Sequence, residues 1–266
     1  MLDSSTSSSR PLIASVVSLD VLREEYENGS QSFVKQIEYL QSQDFHGIRR
    51  TRGDGDCFYR SLAFAYIERI VNSPDPSFAA TQALSTLEGA LPMLEDAGFQ
   101  KIVVEDFYEV MEGLIKRVVT PDSRGHYLTP NLLLEAFQDP ETSNYVVVFL
   151  RLLTSAQIRT DPESFEPFLF HPDLGEPLSI RDFCEGFVEA VGKEADHVQV
   201  TALSRALKIN VSVAYLDGRD QGGKVDFVEF FNAPEAGTEP LALLYRPGHY
   251  DILDKRSIEA LPLNLS

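Results

Sequence analysis

The sequence predicts an α+β fold in which a helical region comes first and a mostly antiparallel sheet follows. Up to about residue 207, apolar residues recur at the three- and four-residue spacing of amphipathic helices. The pattern then changes to short runs rich in β-branched and aromatic residues at 209–216, 225–231, 241–245 and 249–253, separated by turn residues. Helices and strands that are segregated along the chain are typical of the α+β class.

One domain accounts for most of the chain. The sequence has 266 residues, 43% of them hydrophobic, which is enough for a single sizeable core. Residues 1–18 open with a serine-rich run that has little to bury, so we predict a flexible leader there. Residues 19–266 form the domain. Its first part, about 19–46, is predicted to be an N-terminal arm of two short helices around the turn Asn28-Gly29-Ser30.

Seven further helices are predicted after this arm. They cover 57–70, 84–94, 107–118, 130–137, 145–155, 179–191 and 196–207. The first is apolar on nearly every side, as expected for a helix in the middle of a domain. Thr129 and Pro130 supply an N-cap and a proline at the first helical position. The valines of 145–155 favour a strand, but the length of the run and the spacing of its apolar residues favour a helix.

A glycine-broken acidic turn leads into the first of these helices and places a cysteine, Cys57, at its first position. Gly53 and Gly55 allow positive φ angles and close approach of another chain. The unpaired N–H groups and the positive end of the helix dipole favour a thiolate at Cys57, and the thiolate is the nucleophilic form of cysteine. A lone cysteine is as often a small buried apolar residue, so this turn by itself leaves both interpretations open.

A second block near the end of the chain supplies a histidine and a carboxylate. After Pro247-Gly248 the segment is predicted to be a strand, in which residues two apart share a face, so His249 and Asp251 point the same way. An aspartate beside a histidine fixes the ring tautomer and stabilises the imidazolium, as in a cysteine triad. The alternative is a purely structural hydrogen bond between the two residues.

Both blocks resemble those of a known family. Residues 53–61, GDGDCFYRS, and residues 245–253, YRPGHYDIL, look like the two catalytic blocks of the otubains, which are ovarian-tumour-domain (OTU) cysteine proteases that remove ubiquitin. Three other blocks resemble otubain blocks in the same order: EDF at 105–107, SNYVVVFLRLLTS at 143–155 and EADHVQVTAL at 194–203. The resemblance covers roughly residues 20–254.

The resemblance implies a papain-like OTU fold with the nucleophile at the N-terminus of a central helix. It implies that Cys57 is the nucleophile, His249 the general base, Asp251 its orienter, and Asp54 a member of the loop that shapes the oxyanion hole. One residue departs from the family pattern, because Asp56 stands where otubains often carry an asparagine. We expect its carboxylate to oppose the thiolate if it turns toward the sulfur, and, as a solvated turn residue, to contribute little to folding.

The activity implied by the resemblance is that of a deubiquitinase, a thiol hydrolase that cleaves isopeptide bonds in polyubiquitin or ubiquitinated proteins. The implied partners are ubiquitin, polyubiquitin chains and ubiquitin-conjugating enzymes. Two alternatives stay open: a non-catalytic protein that sequesters ubiquitin or a ubiquitin-conjugating enzyme, and a papain-like acyl transferase. The set Cys57, His249 and Asp251 favours catalysis, since a pure binding protein has no chemical need of it.

Composition limits the partners and the compartment. A net charge of −18 argues against a nucleic-acid partner and suits a partner with a basic surface. Cys57 and Cys184 lie far apart without metal-ligand spacing, so we expect no disulfide, metal or cofactor, and we expect Cys184 to be inert core. No signal peptide or apolar membrane span is evident in the sequence. We expect a soluble monomer in the cytoplasm, with the nucleus as a second compartment.

Overall fold

The computed structural model describes residues 10–219, 222–233 and 239–256, and in this part of the chain it contains ten α-helices and six strands. The helices are α1 (Leu19–Glu27), α2 (Gln31–Ser42), α3 (Cys57–Val71), α4 (Pro76–Asp96), α5 (Lys101–Lys116), α6 (Pro130–Gln138), α7 (Pro140–Thr160), α8 (Pro162–Phe165), α9 (Ile180–Phe183) and α10 (His197–Ala206). A 3₁₀ turn, Glu166–Phe168, follows α8, and a π-helical segment, Cys184–Glu189, continues α9. None of the helices described here is both long enough and apolar enough to cross a membrane.

The six strands form one sheet. They are β1 (Ile13–Ser18), β2 (Gly47–Thr51), β3 (Val211–Tyr215), β4 (Asp226–Phe230), β5 (Leu241–Arg246) and β6 (His249–Asp254). Their order across the sheet is β1-β2-β6-β5-β3-β4, and every neighbouring pair is antiparallel except β3 and β5. The mostly antiparallel sheet and the α+β class predicted from the sequence are confirmed.

The two faces of the sheet are covered by different helices. On one face, α3 and helices α4 to α7 and α10 share the main apolar cluster with the sheet. On the other face, α1 and α2 pack over a second cluster. The consecutive residues Leu243 and Leu244 belong to different clusters, because alternate side chains of a strand point to opposite faces. The helix that begins with Cys57 is thereby held rigidly against the centre of the sheet.

Several bounds differ from the sequence predictions: α4, α5 and α7 begin at Pro76, Lys101 and Pro140, earlier than the predicted 84, 107 and 145. The prediction of a flexible leader over 1–18 is wrong for residues 13–18, which form strand β1 and pair with β2; residues 1–9 lie outside the described residues. Neither β1 nor β2 was predicted. The helix predicted for 179–191 is α-helical only over Ile180–Phe183, and its π-helical continuation ends at Glu189.

Candidate active site

Cys57 lies at the positive end of a buried helix. It is the first residue of α3, and thirteen of the fifteen residues of this helix are buried. Only 2% of Cys57 is exposed, so its thiol is enclosed rather than open to solvent. Its backbone N–H donates to no protein group among the residues described, because the first intrahelical bond, from the Arg60 N–H to the Asp56 carbonyl, lies further along α3.

Strand β6 brings His249 and Asp251 together on one face, as the strand periodicity predicted. Nε2 of His249 lies 2.9 Å from Oδ1 of Asp251. The same imidazole lies close enough to Cys57 for the two side chains to interact. Since Nε2 faces Asp251, Nδ1 is the ring nitrogen left to serve the sulfur.

The surroundings of His249 favour its charged form. Burial lowers the pKa of His249, but the hydrogen bonds and charges of Asp251 and Cys57 outweigh burial and raise this pKa to about 9. The ring is therefore protonated at neutral pH, beside the thiol that it would activate. This arrangement supports a thiolate–imidazolium pair.

Asp251 is held by three donors and is completely buried. Besides His249, its carboxylate accepts a hydrogen bond from the Thr51 backbone N–H at 2.9 Å and one from Nη2 of Arg246 at 2.5 Å. Burial raises the pKa of Asp251, but the bond to His249 and the charges of His249 and Arg246 outweigh it and leave the pKa below its ordinary value. The orienting group thus stays ionised, with its direction fixed by neighbours on β2 and β5.

Asp54 supports the turn before the nucleophile through an ion pair. Nη1 of Arg60 donates to both oxygens of Asp54, at 2.9 and 2.8 Å, and the guanidinium of Arg60 is completely buried. Oδ1 of Asp54 also accepts from the Asp56 backbone N–H at 3.0 Å. The carboxylate therefore shapes the loop from within.

The carboxylate of Asp56 turns neither toward the sulfur nor into solvent, and both expectations for it are corrected. Its side chain is 14% exposed and pairs with Arg151, whose Nε and Nη2 lie 3.0 and 2.5 Å from Oδ1. The Gly192 N–H donates to the same oxygen at 3.0 Å. Because Arg151 is completely buried, this charge pair belongs to the folded interior.

Two contacts at the site were not predicted from the sequence, those of Arg151 with Asp56 and of Arg246 with Asp251. The signal for Arg151 was present, because it is a single cation within the apolar run of α7, where a buried charge requires a partner. The sequence around Arg246 gave no comparable indication of a buried partner, since Arg246 follows the predicted strand 241–245 and precedes the turn at Pro247-Gly248. Its position beside Asp251 depends on the register of β5 against β6.

Two backbone N–H groups of the turn are free for an oxyanion. Within the described part of the chain, the N–H groups of Gly55 and Cys57 donate to no protein acceptor, whereas the Asp54 N–H donates to the Arg52 carbonyl at 3.1 Å. A cysteine, an imidazole and such donors are the groups that acyl transfer through a thioester requires.

Cys184, which the sequence predicts to be inert core, and His197, in the block at 194–203, lie outside this arrangement. Cys184 is completely buried, and burial raises the pKa of its thiol to about 11, which makes it a poor nucleophile. The exposed ring of His197 packs edge-on against Phe230, with ring centroids 5.5 Å apart.

Comparisons with known proteins agree with the geometry. The family model described as Peptidase C65 Otubain matches residues 5–255. The OVARIAN TUMOR DOMAIN-containing deubiquitinating enzyme 1 of Arabidopsis thaliana is 36% identical over 253 residues, a match that covers 91% of this chain and 80% of that protein. Ubiquitin thioesterase OTUB1 of Homo sapiens is 35% identical over 247 residues, with 92% and 83% covered. Ubiquitin thioesterase OTUB2 of Homo sapiens is 36% identical over 236 residues, with 88% and 91% covered.

Solved structures show the same fold. The structure of ceOTUB1 with ubiquitin aldehyde and UBC13~Ub has a TM-score of 0.81 and 26% identity, and the match covers 95% of this chain and 97% of that one. A structure of h/ceOTUB1 with ubiquitin aldehyde and UBCH5B~Ub has a TM-score of 0.79 and 26% identity, with 94% and 92% covered. The fold is therefore the papain-like OTU fold, and the chain belongs to the otubain family of C65 peptidases.

Proposed function

We propose that this protein is a cysteine deubiquitinase that hydrolyses the isopeptide bond between the C-terminus of ubiquitin and a lysine amine. The observation that carries the proposal is the placement of the His249 imidazole, which is hydrogen-bonded to the buried carboxylate of Asp251 and also interacts with Cys57. Relatives that share 35–36% identity with this chain are ubiquitin thioesterases, and this supports ubiquitin as the substrate.

The residues perform two successive acyl transfers. The Cys57 thiolate attacks the carbonyl carbon of the isopeptide bond. The carbonyl oxygen becomes negatively charged and accepts hydrogen bonds from the N–H groups of Gly55 and Cys57. When the C–N bond breaks, Nδ1–H of His249 gives its proton to the leaving lysine amine. Water then attacks the thioester while His249 takes a proton from it. The C–S bond breaks, which releases the ubiquitin carboxylate and restores Cys57 to its starting state.

A second function, the binding of ubiquitin-charged conjugating enzymes, has its own support. The similar structures of ceOTUB1 and h/ceOTUB1 contain UBC13~Ub or UBCH5B~Ub in addition to ubiquitin aldehyde. The structural match spans at least 92% of those chains, so this chain shares nearly the whole of their fold. We propose ubiquitin, polyubiquitin chains and ubiquitin-conjugating enzymes as partners. A cytoplasmic location, with the nucleus as a second compartment, stays a prediction.

The experiment that separates the two functions combines di-ubiquitin cleavage with one substitution. The parent chain should cleave at least one linkage in a panel of purified di-ubiquitins, and Cys57→Ala should abolish cleavage while it retains affinity for ubiquitin. Turnover by Cys57→Ala within tenfold of the parent would contradict the assigned nucleophile. A parent that binds ubiquitin or a charged conjugating enzyme, yet cleaves no linkage, would favour the binding function alone.

A covalent probe gives an independent measurement. An electrophile attached to the C-terminus of ubiquitin should label Cys57 and spare Cys184, because the latter thiol has a raised pKa and lies away from His249. Mass spectrometry of the labelled peptides decides between them. Equal labelling of both cysteines would contradict the assignment of Cys57.

A further inference from the structure

We infer that Arg151 and Asp56 are positioning residues for the oxyanion site: they fix the peptide unit between Gly55 and Asp56, and thereby aim the N–H groups on either side of it. This inference rests on the proposed hydrolase activity. It assigns a role to an ion pair that bonds to neither Cys57 nor His249. It also gives a physical meaning to the aspartate that stands at position 56 in this chain.

The hydrogen bonds of the turn alternate between used and free N–H groups. The Asp54 N–H donates to the Arg52 carbonyl at 3.1 Å, and the Asp56 N–H donates to Oδ1 of Asp54 at 3.0 Å. Between and after them, the N–H groups of Gly55 and Cys57 are free within the part of the chain that the structure describes. Whether these two N–H groups converge on one point depends on the orientation of the peptide unit that separates them.

That peptide unit is tied at both ends. Its carbonyl, from Gly55, accepts from Nη2 of Arg151 at 3.0 Å, and its N–H, from Asp56, is bonded to Asp54. A rotation of this unit would break both bonds and would turn the neighbouring N–H groups with it. Because the guanidinium is planar and rigid, it holds the carbonyl in a single direction.

Arg151 also ties the turn to a second loop. Its guanidinium donates to the Val188 and Lys193 carbonyls at 2.8 and 2.7 Å, in addition to Asp56 and Gly55. Its Cζ lies 4.3 Å from the centre of the Tyr59 ring, so stacking fixes the plane of the group as well. Arg151 therefore holds the oxyanion turn and the 188–193 loop in one arrangement.

The close packing of the two loops is visible at Gly55. A Cβ built on Gly55 would lie 2.1 Å from the Gly192 carbonyl oxygen, so the loops are in backbone contact. Oδ1 of Asp56 accepts from the Gly192 N–H at 3.0 Å, on the same side. The carboxylate thus balances the charge of Arg151 and anchors the second loop through the same oxygen.

The test uses substitutions at Asp56 with a matched control at Asp75. Asp56→Asn keeps an acceptor oxygen but removes the charge, and Asp56→Ala removes both. Asp75 is also an N-cap aspartate, at the start of α4, where its exposed side chain accepts from the Phe78 N–H. Asp75→Asn and Asp75→Ala should therefore change stability modestly and leave all the site measurements at the parent values.

The decisive measurement compares the affinity for ubiquitin aldehyde with the affinity for ubiquitin. The two ligands share the protein surface, but only the aldehyde forms a tetrahedral adduct with Cys57 whose oxygen requires the oxyanion donors. We expect Asp56→Ala to lower both the affinity for ubiquitin aldehyde and kcat by at least tenfold. Its affinity for ubiquitin should stay within about twofold of the parent. Alkylation of Cys57 by iodoacetamide needs no oxyanion donors, so its rate in Asp56→Ala should stay within about twofold of the rate in the parent.

Two outcomes in a folded Asp56→Ala variant would overturn the inference. Unchanged aldehyde affinity and kcat in Asp56→Ala would show that the pair is structural only, and a parallel loss of iodoacetamide reactivity would show a general disturbance of Cys57. If Asp56→Ala does not fold, Asp56→Asn decides, with an expected loss of threefold or more in aldehyde affinity. A parent that neither cleaves ubiquitin conjugates nor binds the aldehyde refutes the proposed function together with this inference, whereas an active parent with unaffected variants refutes the inference alone.

Discussion

Asp251→Asn is the substitution that tests the catalytic arrangement most directly, because it removes one charge and keeps the shape of the side chain. Oδ1 of an asparagine can still accept from the Thr51 N–H and from the His249 ring, which Asp251 bonds at 2.9 and 2.9 Å. The amide NH₂ then replaces the oxygen that accepts from Arg246 at 2.5 Å, so two donors face each other. The variant tests the charge and the orientation of His249 at once.

The magnitude follows from the pKa of His249. With a pKa of about 9, about 97% of the imidazole is protonated at pH 7.5. Loss of the Asp251 charge removes one of the two groups that raise this pKa, so a smaller fraction of the ring is protonated at pH 7.5. This loss of imidazolium by itself lowers turnover. Loss of the correct ring orientation raises the total to on the order of 100- to 10,000-fold.

The pH dependence has a definite sign. A leaving amine needs a proton from His249, so kcat/KM of the parent should fall as pH rises through about 9. In Asp251→Asn the alkaline limb should move to lower pH, because one of the groups that raise the pKa of His249 is lost. Because the folded-state pKa of His249 is raised, its contribution to stability is complete below about pH 6.5 and is lost through about pH 9, and the variant should lack this loss.

The assay is kcat/KM on a fluorogenic ubiquitin amide between about pH 5.5 and 10, with thermal unfolding recorded at each pH. Asp254→Asn is the control, since Asp254 lies on the same strand and pairs with Arg256, away from His249. It should retain the pH profile of the parent. An alkaline limb that stays near pH 9 in Asp251→Asn, with an unchanged rate, would show that a different group orients and charges the imidazole.

Two further substitutions test the turn. Gly55→Ala should lower turnover at least tenfold, because the added Cβ lies 2.1 Å from the Gly192 oxygen. Gly125 is the control, since it has the same φ of +82° but nothing within 4 Å of an added Cβ. Gly125→Ala should lower the free energy of unfolding by about 1 kcal/mol through backbone strain and leave the rate unchanged. Equal effects of the two would contradict the loop contact. Asp54→Asn should lower the free energy of unfolding by about 3 kcal/mol, because it leaves the buried charge of Arg60 without a counter-ion; a loss under about 1 kcal/mol in urea denaturation would contradict this.

The elements with strong local signals were predictable from the sequence. The spacing of apolar residues predicted the approximate positions of nine helices. Thr129, Ser179 and Asp196 are short polar residues, and their side chains cap α6, α9 and α10. The two-residue period of a strand was sufficient to place His249 and Asp251 on one face. Local rules suffice in these cases because each feature is contained within one element.

Strands β1 and β2 were not predicted, because they are stabilised by residues that lie far away in the sequence. β2 contains Arg49 and Arg50, which read as solvated, yet Arg49 is 6% exposed and its Nη2 pairs with Glu68 of α3 at 3.0 Å. β1 is short and lies next to the serine-rich run, and it becomes a strand only by pairing with β2. A buried cation in a strand can be recognised only once its partner on another element is known.

The charge around the nucleophile is set by pairing rather than by composition. The chain carries a net charge of −18, and two of its carboxylates, Asp54 and Asp56, lie within three residues of Cys57. Each is matched by a completely buried guanidinium, Arg60 from α3 itself and Arg151 from α7, so both negative charges are balanced where they stand. The groups left to act on the sulfur are the N-terminus of α3 and the imidazolium of His249, and both are positive. An acidic protein can therefore keep positive charge beside its nucleophile, because the nearest carboxylates are already paired in holding the turn.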